Sequence, residues 1–135
     1  MVEFVSLVVV LVVPLTYLIL TVFEIQRASF AATSAAREAA RLFVTAPSSG
    51  EADVRARQAA AIALADHGMS AGPGAVTVSC SSDPCLTPGA SVRVRFRTSV
   101  PLPLVPGFIS DLVPARVSIQ ADHTQVVDRY APLRP

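Results

Sequence analysis

The sequence predicts an α+β chain with one disulfide: a long amino-terminal transmembrane-plus-stalk helix, a second helix, and a small three-stranded antiparallel sheet. Three observations predict it. Residues 4–23 are apolar and uncharged, residues 24–46 continue without Gly or Pro and are dense in Ala, and three later segments alternate apolar and polar side chains. The first two patterns are those of a helix and the third has the period of a strand. With 135 residues and a mean hydropathy of +0.53, the chain holds one small domain beside one hydrophobic segment.

The run from Phe4 to Phe23, FVSLVVVLVVPLTYLILTVF, is 20 residues long, which as a helix spans about 30 Å, the thickness of a bilayer core. A cleaved signal peptide has a shorter apolar region followed by a small-residue cleavage motif, whereas this run passes directly into Glu24-Ile25-Gln26-Arg27. Residues 1–23 are therefore read as a retained transmembrane helix. Pro14 lacks an amide hydrogen and crowds the carbonyl of Val10, so it marks a helix kink, either merely tolerated or used as a hinge. Glu3 places a carboxylate at the edge of the apolar segment, where desolvation is costly unless water or a cation meets it. It either sits among lipid headgroups or pairs with a neighbouring subunit's terminal amine, setting register between packed helices.

Residues 24–46 extend the helix as a stalk. At 100° per residue, Ile25, Ala28, Ala32, Ala35, Ala36, Ala39, Leu42 and Phe43 share one face, and Arg27, Ser34, Arg37, Glu38 and Arg41 the other. The small side chains of the first face let another backbone approach closely, belonging either to a neighbouring subunit or to the chain's own domain. Pro47-Ser48-Ser49-Gly50 ends the stalk, and Ser48 and Glu51 have capping-box spacing at the start of a helix over 51–67 that Gly68 terminates. Glu51/Arg55 and Asp53/Arg57 are i,i+4 pairs, and Val54, Ala61, Ile62 and Ala65 form an apolar stripe expected to cover the sheet.

Strands are expected at about 76–80, 91–99 and 115–127. In the second, Val92, Val94, Phe96 and Thr98 alternate with Arg93, Arg95 and Arg97. This arginine ladder reads as solubility and edge protection, because no aromatic side chains interleave with it as in a nucleic-acid site. Val117, Ile119, Ala121 and His123 repeat the inward parity on the last strand. Cys80 and Cys85 flank the turn-rich Ser81-Ser82-Asp83-Pro84. The pattern favours a disulfide in an oxidising exterior, since zinc would need His67 and His123 to converge without a recognisable ligand spacing, and redox motifs space their cysteines more closely. Residues 100–114 are apolar yet carry four prolines at 101, 103, 106 and 114. Such a loop is either folded on the core or an exposed contact surface, with Phe108, Ile109 and Leu112 as the candidate partner residues.

A formal charge of +1 gives no electrostatic case for nucleic acid. The first basic residue, Arg27, lies carboxyl-terminal to the apolar run, which by the positive-inside rule would put the domain in the cytoplasm. A basic leader encoded upstream would reverse that orientation. The cysteine pair agrees with the second view, in which 24–46 is an extracytoplasmic stalk and 47–135 a small extracytoplasmic α+β domain.

The segment VEFVSLVVVLVVPL, the stretch Ala35 to Arg41 (AAREAAR) and the ending ADHTQVVDRY resemble the TadE-like minor pilins and pseudopilins of the Tad (Flp, type IVc) pilus system. The resemblance implies a pilin-like fold and a non-enzymatic subunit that helps initiate, assemble or cap a pilus through helix-bundle packing. In it, Glu3 is the residue that loads subunits into the bundle. It further implies, as partners, other pilus subunits, the inner-membrane assembly platform, the lipid bilayer and, given an upstream leader, a prepilin peptidase. Only Met1 and Val2 precede Glu3, where that family has a longer spacing after the cut. No GxSxG, HExxH, P-loop or dinucleotide fingerprint occurs, so no catalytic residue, metal or cofactor is expected. A membrane-anchored binding module outside any filament is the alternative function, and an extracytoplasmic thiol-disulfide protein a third.

Overall fold

One helix runs from the apolar amino-terminal segment into the domain in the computed structural model, which describes residues 2–103 and 116–134. The expected contact residues Phe108, Ile109 and Leu112 lie outside the described residues. Helix α1 (Val2–Val44) is 43 residues long, or about 65 Å at 1.5 Å per residue. It runs through Pro14 as one helical element. Helix α2 (Ser49–Ala65) follows, then strands β1 (Val76–Cys80), β2 (Ser91–Pro101) and β3 (Arg116–Val126). The strands form one antiparallel sheet in the order β1-β2-β3. The predicted α+β class, the two helices, the three strands and the disulfide are all present.

The amino-terminal half of α1 stands clear of the rest of the chain. Val2, Phe4, Leu7, Val10, Leu11, Val13, Leu18 and Phe23 are exposed around its whole circumference, and none of its most apolar stretch is buried. A helix apolar on all sides needs an apolar medium. Its serine and threonine hydroxyls are turned inward to the helix's own carbonyls: Ser6 Oγ donates to Val2 O at 2.9 Å, Thr16 Oγ1 to Val12 O at 2.8 Å and Thr21 Oγ1 to Tyr17 O at 2.9 Å. These polar atoms therefore need no partner from the surroundings. Among the described residues this is the one helix long and apolar enough to cross a membrane.

From Ala28 onward the same helix becomes the spine of the domain. Ala28, Ala31, Ala32, Ala35, Ala36, Ala39, Ala40, Phe43 and Val44 are buried, packed between α2 on one side and β2 and β3 on the other. α2 returns along α1 after the short turn 45–48, and Gly68 and Met69 beyond its end line a groove with Glu24, Arg27 and Ala28. Ser48 caps α2, its Oγ accepting from Glu51 N at 3.4 Å. Glu51 does not complete the capping box, because its carboxylate accepts from Arg55 instead, at 2.6 and 3.0 Å. At the other end Gly68, with φ of 67°, lets its own N–H reach Ala65 O and that of Met69 reach Leu64 O, both at 2.9 Å. This is a Schellman stop, which requires the left-handed residue that glycine supplies without steric cost.

The expected inward stripe of α2 is corrected. Val54 is 52% and Ile62 65% exposed, and Ala61 and Ala65 are exposed with them. The buried face is Ala52, Ala56, Ala59, Ala60, Ala63 and Leu64. It meets the alanines of α1, while α2 touches the sheet only slightly, at β1. Facing methyl groups let two helix backbones approach closely, so a row of Ala buries more contact here than the larger side chains could without holding the helices apart. The helix lying on the sheet is α1.

Val92, Val94 and Phe96 of β2 are fully buried beneath α1, with Val76, Val100 and Ile119 beside them. Leu86, in the connection between β1 and β2, folds back into the same core. β2 is the central strand, so edge protection is not what Arg93, Arg95 and Arg97 provide. At the end far from the apolar segment Arg134 closes the domain, its Nη1 donating to Ala46 O at 2.7 Å.

Candidate functional site

Glu3 is exposed in the first turn of α1. There a carboxylate also faces the positive end of the helix dipole. The small-residue face Ala28, Ala32, Ala35, Ala36, Ala39 and Phe43 lies wholly inside the chain's own domain. Of the two occupants that the sequence left open, the chain's own second helix and sheet fill that face. Surface remaining for another molecule is therefore the apolar segment itself and what the domain exposes.

Cys80 and Cys85 are bonded to each other at the end of the sheet far from the apolar segment, and no free cysteine remains. Among the described residues no three His, Cys, Asp or Glu side chains stand close enough together to hold a metal ion. His123 is half-buried on β3, opposite Val94 in the register.

The solvent face of the sheet is a cross-strand network. Arg95 Nε and Nη2 donate to Asp122 Oδ1 and Oδ2 at 3.0 and 3.3 Å, a two-pronged pair across the directly opposed positions of β2 and β3. Arg93 Nε donates to Thr124 Oγ1 at 3.5 Å and Arg97 Nε to Gln120 Oε1 at 3.2 Å. The hydrogen bond from Arg95 pulls the Asp122 carboxyl below the usual range; desolvation opposes this, and the charges of Arg95, Arg93 and Arg97 add to the lowering. The same hydrogen bond raises Arg95 further. Sequence alternation placed the three arginines on one face, but only the register supplies their partners.

Two adjoining grooves occupy the end of the domain nearest the apolar segment. One, of about 440 Å³, is lined by Glu24, Arg27 and Ala28 of α1, by Gly68–Ser70 and by Thr98–Pro103. The other, also about 440 Å³, shares Ser70, Thr98 and Ser99 and adds Gly72–Ala75, Arg97 and Arg116. Sequence reading missed both, since their walls come from four separated segments. The only local signal was the Gly and Pro content of 68–75 and 100–103. The exposed Val54 and Ile62, eight residues apart and so on one side of α2, were legible as a stripe but assigned to the wrong environment.

Comparison with protein-family models, with curated proteins and with solved structures gives no match for this chain.

Proposed function

We propose that this chain is a non-enzymatic, membrane-anchored structural subunit, similar to the TadE-like minor pilins, that joins a Tad-type pilus assembly through its apolar helix. The observation that carries the proposal is the continuity of α1: one unbroken helix presents a bare apolar half, then becomes the spine of a small domain. A rigid connection of this kind transmits the position of the anchor to the domain, as a subunit of a helical bundle requires. Because the alanine face is already occupied, contact with other subunits falls to the exposed side chains of 2–23, with Glu3 setting register. The domain is extracytoplasmic in this reading, consistent with its disulfide.

The test compares amino-terminal mass analysis of the protein in sheared filaments and in membranes. The expected result is a chain present in both fractions, with Glu3→Val keeping it in the membrane and removing it from filaments. Wild-type protein confined to the membrane fraction of piliated cells would overturn the filament reading. It would favour an anchored binding module, for which the exposed Val54 and Ile62 on α2 are the supporting observation.

A further inference from the structure

The hydrogen-bonding side chains of the apolar half of α1 are gathered on one side. Glu3, Ser6, Pro14, Tyr17, Thr21 and Glu24 fall within an arc of about 80° on the helix. Thr16 lies outside it, with its hydroxyl turned to Val12 O. The opposite arc carries Val5, Val12, Ile19 and Phe23. Polar groups within a bilayer face protein or water and apolar ones face lipid, so the two arcs call for different surroundings.

Two groups in the polar arc are left without a partner. Ser6 and Thr21 donate to carbonyls of their own helix, whereas the Tyr17 hydroxyl makes no hydrogen bond among the described residues. Pro14 has no N–H to give the carbonyl of Val10, so that oxygen lacks its helical bond. A long side chain on a helix lies over the turn amino-terminal to its own Cα, which puts the Tyr17 hydroxyl near the height of residues 13 and 14. The Val10 carbonyl points toward position 14. An unmet hydroxyl and an unmet carbonyl thus stand at one height, on bearings about 20° apart. Pro14 is about 14 Å below Phe23, near the middle of a core about 30 Å thick, where no water compensates them.

The same bearing continues into the domain. Ala28, Ala32, Ala35 and Ala39 lie about five turns beyond Val10, Pro14, Tyr17 and Thr21, and so in line with them. All four alanines are buried where α2 and the sheet pack on α1. A second copy laid parallel on the polar arc would drive its own stalk into that space.

We propose that the polar arc of α1 is the seat of a transmembrane helix of another protein, one that ends at the membrane surface beneath the domain. It brings a side chain that both donates and accepts, such as an Asn or Gln amide, to the Val10 carbonyl and the Tyr17 hydroxyl. The inference rests on the anchored reading above, and goes beyond it by assigning the contact to one side of the helix and stating the partner's chemistry.

The test uses the full-length chain in phosphatidylcholine vesicles with two synthetic Leu-based transmembrane peptides, one carrying a single central Asn and one carrying none. Flotation with the vesicles reads the anchor. Energy transfer from a label at the amino terminus of the chain to one on the peptide reads association. The expected result is flotation of every variant and tighter binding of the Asn peptide than of the all-Leu peptide, by about threefold for each hydrogen bond gained. Tyr17→Phe and Pro14→Ala, which returns an N–H to the Val10 carbonyl, should each lower that preference by about threefold, and Ile19→Ala on the opposite arc should keep it. Equal binding of the two peptides, or an equal loss in Ile19→Ala, would overturn the seat while leaving the anchor intact. Association of the chain with itself that Tyr17→Phe abolishes would give the polar arc to a second copy and refute the proposed partner. Failure to float would overturn both the seat and the anchor.

Discussion

Replacing Ala60 by Leu and, separately, its neighbour Ala61 by Leu tests the most consequential feature of the domain. Ala60 is fully buried between the two helices, whereas Ala61 is exposed. Leu and Ala both favour helix, with only a few tenths of a kcal/mol between them, so propensity contributes almost equally at the two positions. Three added carbons at Ala60 must push against the buried alanines of α1, and overpacking of a filled site costs about 1 to 3 kcal/mol. For a domain near 100 residues each kcal/mol shifts the midpoint by about 4 to 8 °C, so Ala60→Leu should melt roughly 5 to 20 °C lower. Ala61→Leu meets solvent and should stay within about 0.5 kcal/mol of the parent. Circular dichroism melts of the full-length chain in detergent read the difference. Equal shifts, or a larger one at Ala61, would refute close Ala-to-Ala packing and restore the Val54–Ile62 stripe as the inward face.

Removing the disulfide with Cys80→Ser/Cys85→Ser should cost about 2 kcal/mol, the loop-closure entropy of so short a ring, and thiol reductant should lower the parent's melting temperature to match. A melt unmoved by either treatment would show that the hairpin needs no covalent closure. The Arg95–Asp122 pair makes stability depend on acid. The folded Asp122 carboxyl is pulled below its unfolded value, near 3.9 for a free Asp. Its contribution is therefore fully present above that value and disappears as pH falls through the lower folded one. Asp122→Asn should flatten stability against pH in that acidic window and leave the slope near neutrality unchanged; an unaltered acid limb would remove the pair from the account.

Much of the architecture was legible because it rests on local patterns with a single physical outcome. Twenty uncharged residues, an Ala-rich continuation without Gly or Pro, and Val-Arg-Val-Arg-Phe alternation each dictate an element regardless of neighbours. Likewise Gly68 and the Ser48 cap are local devices, and the ion pairs Arg55–Glu51 and Arg57–Asp53 form at 2.6 and 2.8 Å as their spacing requires. The candidate surfaces were less legible. The arginine ladder could be placed on one face, but Asp122, Thr124 and Gln120 become its partners only through the pairing of strands some 23 to 31 residues apart. The grooves beside Arg97 and Arg116 could not be read at all, because no single stretch of chain contains them.

By itself, the sequence determined that this protein has an apolar helix demanding an apolar medium, a stalk continuous with it, and a disulfide-bearing sheet domain, since hydropathy, helix period and cysteine spacing act over a few turns of chain. Only the tertiary structure decided which side of each element is inside. The side with the largest apolar residues was the natural guess for α2, yet alanines won, because burial depends on how closely two backbones can approach as well as on the size of any one side chain.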